Sequence, residues 1–470
     1  MEARIVDVAI IGAGSAGLYA LSKVSPSGKS WVLIDGGEIG TTCARVGCMP
    51  SKALIQVAED LHRRNIFSRY GLAGGNLMMD IPEVMDFVRH MRDTFVDRVV
   101  ANSTEKMDPE HFIPQYARFL DPNLLELGDG RRIRAKKVII ATGSTPIIPQ
   151  AWQTFGDDIL TTDSLFEQEN LPRSIAVIGL GVIGLEMGQS LSRLGVDVTG
   201  IDQLKTIGGV DDPEVAKTIV EIIGKEFPIW LGEAAEITRE ANGKLRVSAG
   251  AKSVVVDKVL ASLGRRPNLG RLNLQALGVT LDSRGTPPYN PTTMQIAHLP
   301  VFIAGDANGV RALLHEAGDE GRIAGHNAVS STITAFRRKT PLNINFCDPN
   351  ICQVGARWSN LDWERTAIGE VRFAPVGRAM IMGKNKGVLR VYADKKSGRL
   401  LGAEMACPKG ENLAHLLAWC IQKEMTVGEL LRMPFYHPVI EEALQAALYD
   451  LYGKIEAKNE GPIAELHPIA

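Results

Sequence analysis

Cysteine is scarce in this chain: six among 470 residues, too few for the disulfide framework of a small secreted scaffold. Long apolar runs are also missing. No stretch reaches the ~18 residues expected of a membrane helix. The best candidate, 175–185, holds three glycines and stops at Glu186. An excess of one charge is lacking too: 52 Lys and Arg face 54 Asp and Glu, a net charge of −2, so the electrostatics point to neither nucleic acid nor a membrane surface as partner. The opening MEARIVD has no apolar leader and carries an acid at position 2. A cytoplasmic location is therefore expected. Collagen, coiled coil and disorder are excluded by a hydrophobic share of 45% and a charged share of 23%. No metal-ligand spacing stands out, and no metal is expected. Glycine is what the chain has in quantity, 47 residues, and it falls in patterns. The length suits about three domains.

Residues 5–11 (IVDVAII) form a short β-branched run that ends in Gly12-Ala-Gly14-Ser-Ala-Gly17. A helix-compatible stretch follows, and then a second apolar run, 31–34, ending in Asp35. Strand, glycine turn, helix, strand and terminal acid make up the dinucleotide-binding fingerprint in its required context. The first glycine permits the tight turn, the second admits a pyrophosphate, and the third lets helix and strand pack. The helix N-terminus then faces the phosphates, and Asp35 can accept from ribose hydroxyls. The pattern recurs at 174–202, with Gly179-Leu-Gly181-Val-Ile-Gly184, a helix through 192 and a strand ending in Asp202. Two such units imply two dinucleotides, with hydride passing between them. Asp202 would accept a ribose 2′-hydroxyl and repel a 2′-phosphate, which favours NAD over NADP; Lys205 nearby weakens this only slightly.

Other segments complete the outline. Residues 138–144 read as a buried strand ending in Thr142-Gly143-Ser144, 145–172 as a linker, and 254–260 as one further buried strand. Gly264 to Asn268 (GRRPN) reads as the exit from the second nucleotide unit. Residues 301–306 read as a strand ending in Gly305-Asp306, and beyond about 341 the fingerprints stop.

Cys43 and Cys48 lie five apart, ahead of a helical pattern that contains Lys52. In a regular helix five residues span ~7.5 Å along the axis, more than the ~7 Å that a disulfide tolerates. A bridge would need a distorted turn, which Gly47 and Pro50 permit. Such a strained bridge is easily reduced, and a helix N-terminus favours a thiolate. On spacing alone, two unrelated free thiols remain an open alternative.

The segment Gly40-Thr-Thr-Cys43-Ala-Arg-Val-Gly-Cys48-Met-Pro-Ser-Lys52 resembles the redox-active segment of the pyridine nucleotide-disulfide oxidoreductases, nearest to the dihydrolipoamide dehydrogenases. With both fingerprints, Ala141-Thr-Gly143, Gly264-Arg-Arg-Pro-Asn268, Ala304-Gly-Asp306 and a late His-Pro pair, the resemblance covers essentially the whole chain. It implies an α/β fold of two Rossmann-like dinucleotide-binding domains plus a C-terminal α+β dimerisation domain. The expected division is an FAD-binding domain at 1–148, an NAD-binding domain at 149–266, the rest of the FAD-binding or central domain at 267–340, and a dimerisation domain at 341–470. The resemblance further implies FAD in the first unit, with Asp306 on its ribityl or phosphate side and Leu313-Leu314-His315 facing the flavin O2 region. Lys52 and Glu186 match an ion pair beside flavin N5, where nicotinamide stacks. Cys48 matches the charge-transfer thiol and Cys43 the interchange thiol.

Among nine histidines, His437-Pro438 stands out. Pro438 suits the start of the helix that runs on as EEALQAALYDLYG. Glu442 in its first turn can reach back to one imidazole nitrogen, fixing the tautomer and leaving the other to take a thiol proton. The resemblance places this base in the partner subunit's site, which implies a homodimer. His467-Pro468 has no following carboxylate at the matching distance. The chain departs from the family pattern at Thr41, Arg45 and Val439. Cys347 and Cys352 form a second C-x4-C pair, expected to be packed thiols. The expected activity is oxidation of free or protein-bound dihydrolipoamide with reduction of NAD+, the partner being dihydrolipoamide or a lipoylated carrier protein. The alternatives are an NAD(P)H-dependent reductase of another disulfide and, outside catalysis, a flavoprotein redox sensor.

Overall fold

The computed structural model of the chain describes residues 2–73, 77–459 and 463–469. Its first sheet has seven strands. Arg4–Ile11 lies between Trp31–Ile34 and Arg132–Ile140, parallel to both. Val301–Ile303 returns from far along the chain and adds in parallel to the end of Arg132–Ile140. The near-continuous Val and Ile content of these strands matches their burial on both faces. Residues Val8, Ala9, Ile10, Val32, Leu33 and Ile34 are all 0% exposed. The helices Ser15–Val24 and Leu314–Val329 pack on one face, where Gly321 and Gly325 let the backbones approach. An antiparallel meander, Ala117–Asp121 and Leu124–Leu127, extends the long strand Arg132–Ile140.

The second sheet has five parallel strands in the order Ile229–Leu231, Asp197–Asp202, Ser174–Ile178, Lys258–Ala261 and Ile159–Leu160. Two readings of the sequence change here. The stretch 145–172 is more than a linker. Ile159–Leu160 forms the edge strand of this sheet, and Thr162–Leu165 is a short helix with a capping box at Thr161. The apolar run 254–260 is two strands, Lys252–Val256 in a three-stranded antiparallel sheet and Lys258–Ala261 in the parallel one. Asp257 divides them. Its carboxylate accepts from the Ser174 N–H at 3.0 Å and the Ser174 hydroxyl at 2.9 Å, so the chain changes sheet at that residue.

The third sheet is antiparallel: Leu342–Asn345, Asn350–Gly355, Leu400–Cys407, Val388–Asp394 and Thr366–Arg372. The helices Gly410–Gln422 and Glu442–Tyr452 cover it around a core that includes Leu413, Leu417, Leu444 and Leu448. The molecule is thus an α/β protein with two Rossmann-like sheets and a C-terminal α+β unit. No helix of the described residues is long and apolar enough to cross a membrane.

Candidate active site

The two glycine fingerprints fold the same way. A Cβ on Gly17 would overlap the carbonyl oxygen of Gly12, and one on Gly184 would overlap that of Gly179. Helix and strand touch there through backbone alone. The middle glycines differ: a Cβ on Gly181 would meet nothing within 4 Å, and one on Gly14 only the Ala141 oxygen at 4.0 Å. That open side is the cradle a pyrophosphate requires. Asp35 and Asp202 close each unit alike. Asp35 accepts from the Ala13 N–H at 2.6 Å and the Gly37 N–H at 2.8 Å. Asp202 accepts from the Leu180 N–H at 2.6 Å and the Leu204 N–H at 2.8 Å. Each acid therefore braces its own glycine loop.

The Thr142-Gly143 and Gly264 to Asn268 segments meet in a two-stranded ladder, Ser144–Pro146 against Arg265–Pro267. Asn268 donates to the Thr142 carbonyl at 3.1 Å. Arg265 donates to the Ser144 hydroxyl at 2.8 Å, and that hydroxyl donates to Asp306 at 2.7 Å. Asp306 is thereby fixed just beyond the end of Val301–Ile303. Leu313 caps the helix Leu314–Val329, which leaves Leu314 and His315 exposed at its N-terminus. The hydroxyls of Thr142 and Ser262 are buried without a hydrogen-bond partner, one beside each fingerprint. Buried polar atoms are normally satisfied. One orphan at each cradle, together with the open glycines, fits a dinucleotide in both places. The residues that could hold a dinucleotide in the first unit are Gly12, Gly14, Gly17, Asp35, Thr142, Gly143 and Asp306. Those in the second unit are Gly179, Gly181, Gly184 and Asp202.

Cys43 and Cys48 are free thiols on different helices. Cys43 sits in the single turn Thr42–Arg45 and Cys48 opens Cys48–Arg63, with Val46 and Gly47 breaking the path between them. That break resolves the spacing problem of a regular helix. The two thiols hydrogen-bond each other unequally. Cys48 is lowered to about 7, first by the hydrogen bond from Cys43 and then, against some desolvation, by the nearby Lys52 cation. Cys43 is pushed well up, by the proton it shares with Cys48 and by burial. A thiolate therefore settles on Cys48, at the N-terminal end of a sixteen-residue helix.

Lys52, one turn further on, reaches Glu186 at 2.7 Å across 134 residues of sequence. Glu186 lies in the helix Val182–Arg193 and is 4% exposed. Its second oxygen accepts from the Phe346 N–H at 2.8 Å. At the far end of the chain, His437 Nδ1 meets Glu442 Oε1 at 2.7 Å, and Glu442 Oε2 accepts from the Val439 N–H at 3.1 Å. The Glu442 carboxyl is held below its usual range by these two contacts. Because the Val439 contact comes from the main chain, the side chain at that position is free to vary. The helix starts at Glu442, not at Pro438, so the carboxylate is its first residue and the His-Pro pair belongs to the preceding turn. The His437 side chain is 81% exposed, and no hydrogen bond among the described residues engages Nε2. His467 lies exposed near the C-terminus.

Cys347 and Cys352 are each 1% exposed, and burial pushes both thiols far up. They face different core clusters and are packing residues. Sequence patterns did not single out Gln189 or Phe346, because each acts through a contact made across domains, nor Ser144, whose partner Asp306 lies 162 residues away, nor Ser262, whose buried hydroxyl has no partner. Among the described residues no cluster of three or more His, Cys, Asp or Glu is placed to hold a metal ion.

Residues 6–321 match the family described as pyridine nucleotide-disulphide oxidoreductase, and residues 342–448 match the dimerisation domain of that family. Among curated relatives, dihydrolipoyl dehydrogenase of Rhizobium etli is 28% identical, covering 96% of this chain and 99% of its own. That of Thermus scotoductus is 29% identical, covering 96% and 98%. Among solved structures, a Cu(II) complex of the HOCl-induced flavoprotein disulfide reductase RclA from Escherichia coli superposes with a TM-score of 0.81 at 21% identity, covering 97% of this chain and 100% of that one. LpdA from Mycobacterium tuberculosis gives 0.82 at 22% identity, covering 94% and 99%.

Proposed function

Because the chain belongs to the pyridine nucleotide-disulphide oxidoreductase family, whose members depend on FAD and a pyridine nucleotide, we propose that it oxidises dihydrolipoamide, free or carried on a protein, and reduces NAD+. One observation carries the reading. Cys48, the lowered thiol of an unequal pair, opens the helix that bears Lys52, and Lys52 is bound to a buried glutamate of the second nucleotide unit. Thiol chemistry and nicotinamide chemistry thus share one ion pair.

FAD, when bound, supplies a two-electron carrier between the thiols and the nicotinamide. The rest falls to side chains. His437 of the partner subunit takes the proton of a dihydrolipoyl thiol, its tautomer set by Glu442. The substrate thiolate attacks Cys43 Sγ in the oxidised Cys43–Cys48 pair, forming a mixed disulfide and releasing Cys48 as thiolate. The second substrate thiol displaces Cys43, which closes the substrate disulfide. Two electrons then rest on the protein pair, with one proton on Cys43. Lys52 stabilises the Cys48 thiolate, and the Lys52–Glu186 pair orders the nicotinamide side. Asp202 favours NAD by accepting a ribose hydroxyl.

The protein acts as a homodimer in this reading, since the base is exposed on its own chain and the family's dimerisation domain is present. The decisive experiment is NADH formation from free dihydrolipoamide, compared with NADH- and NADPH-driven reduction of other disulfides. Efficient NADH formation is expected. Turnover only in the reductive direction on another disulfide would transfer the same residues to a reductase.

A further inference from the structure

Glu186 is held at both carboxylate oxygens, by Lys52 Nζ at 2.7 Å and by the Phe346 N–H at 2.8 Å. A planar carboxylate fixed at both ends cannot turn. The Lys52 ammonium in turn has only weak further support from the Ser51 hydroxyl, at 3.4 Å. Nζ also lies 4.6 Å from the centroid of the Phe346 ring, within the ~6 Å range of a cation–π contact. One residue therefore touches both members of the ion pair, the acid through its main chain and the base through its ring.

Phe346 is itself held. It follows directly on Leu342–Asn345, the first strand of the dimerisation unit. Two residues on, Asp348 exchanges a pair of hydrogen bonds with Gln189, its N–H to Oε1 at 2.8 Å and its carbonyl from Nε2 at 2.9 Å. The Asp348 carboxylate also meets Arg193 at 3.4 Å. Glu186, Gln189 and Arg193 stand at i, i+3 and i+7 of the helix Val182–Arg193, on a single face. Residues 346–348 are thus strapped along that face for two turns, with the fully packed Cys347 as anchor. The strap comes from the dimerisation unit, the helix from the nicotinamide unit and Lys52 from the thiol helix.

We propose that Phe346 is a positioning residue for the Lys52–Glu186 pair, holding the ammonium between carboxylate and ring so that its charge stays directed at Cys48 and the nicotinamide side. The inference rests on the flavin–thiol reading above. With an aliphatic side chain at 346, the one-third exposed Lys52 side chain has no face to rest against and turns toward water. The Cys48 thiolate then loses part of its stabilising cation.

The test uses flavin-loaded protein reduced by two electrons. Wild type is compared with Phe346→Leu and Phe346→Met, which keep bulk and the N–H, and with Phe346→Tyr and Phe346→Trp, which keep an aromatic face. The aliphatic variants are expected to move the pH midpoint of the long-wavelength thiolate–flavin absorbance upward. They are also expected to slow NADH-to-flavin reduction roughly 2- to 30-fold, the range of a lost cation–π contact, and to slow thiol-to-flavin reduction less. The aromatic variants should return both readouts toward wild type. All rates are taken per bound flavin. Aliphatic variants matching wild type in both readouts would overturn the proposal, as would aromatic variants as impaired as Phe346→Leu. Absence of the long-wavelength band in wild type would instead sink the underlying thiol–flavin reading, and this inference with it.

Discussion

Thr41 occupies a backbone conformation, φ 64° and ψ 145°, that suits glycine rather than a β-branched residue. It stands where the family pattern has glycine, one residue before the helix carrying Cys43. Its hydroxyl accepts from the Ala44 N–H at 3.3 Å and so caps that helix. Strain of this kind costs ~1–3 kcal/mol. Replacing a cap by glycine loses only a few tenths, and glycine's extra freedom in the unfolded chain ~0.5–1. Thr41→Gly should therefore stabilise the protein by about 1 kcal/mol, read as a higher denaturant midpoint; a lower midpoint would show that the cap outweighs the strain. Cys48 carries a second expectation. Its thiol is lowered to about 7, so the thiolate is lost as pH falls through that value and is complete well above it. The long-wavelength band of the reduced protein should fade on acidification with a midpoint near 7 and vanish in Cys48→Ser with FAD retained. A midpoint at ~8.5, the value of an ordinary thiol, would contradict the Lys52 and Cys43 influences. Cys347 and Cys352 should behave oppositely. As buried packing thiols they should resist a thiol reagent in the native state, and Cys347→Ala/Cys352→Ala should keep most dihydrolipoamide turnover. A loss as deep as that of Cys43→Ser would reveal a second redox pair.

At the level of elements, the two nucleotide units repeat one solution: a glycine contact between helix and strand, and an aspartate that braces the loop. Gly184→Ala forces a methyl group into the Gly179 carbonyl. Nicotinamide dinucleotide affinity should collapse while FAD content survives, and Gly17→Ala should do the reverse. Equal loss of both cofactors in either variant would mean that the fold, not the cradle, had failed. Asp202 uses one oxygen for each loop N–H, yet each carboxylate oxygen has a lone pair to spare. A ribose hydroxyl can still donate to it, whereas a 2′-phosphate meets a buried negative charge. NAD should give the higher kcat/KM, and Asp202→Asn should narrow its lead over NADP. Equal values in wild type would remove Asp202 from ribose recognition.

On the scale of the whole molecule, the second nucleotide-binding sheet's unit and the dimerisation unit are joined by buried polar contacts. Asp212 is 0% exposed and accepts from Arg390 at 2.6 Å and from the Tyr392 hydroxyl at 2.7 Å. Glu404, also 0% exposed, accepts from the N–H groups of Asp211, Asp212 and Trp358. Such a joint helps keep Glu186 and Phe346, which lie in those two units, in register. His437 stands apart, outward-facing on the dimerisation unit beside the exposed Tyr436. His437→Gln should lower thiol-dependent turnover by roughly 10²–10⁴-fold and spare hydride exchange between nicotinamides. Mixing a Cys43→Ser/Cys48→Ser chain with a His437→Gln chain and allowing subunit exchange should restore activity, since each heterodimer has one intact composite site. Heterodimers that form but stay inactive would place His437 in its own chain's site, or outside catalysis.

Local sequence determined what depends on backbone and short spacing. The double fingerprint required glycine at contacts where no Cβ fits, and Glu442 lay within reach of His437 because the two are five positions apart across a turn. The C-x4-C pair was legible too, although the break at Val46 and Gly47 that lets the thiols meet was only permitted by the residues there. Where the reading slipped, a local pattern served two ends. The run 254–260 looks like one strand because apolar alternation cannot show that Asp257 moves the chain between sheets, and 145–172 looks like a linker because two residues suffice for an edge strand. Tertiary structure alone decided the long-range partners Ser144 with Asp306, Arg390 with Asp212, and Phe346 against both members of the Lys52–Glu186 pair, a pair that the family resemblance had implied. None of these has a spacing signal. Such a contact is selected when separate sheets and helices pack, through the cost of leaving a buried charge or hydrogen-bond donor unpaired, and that cost is set only once the whole chain has folded.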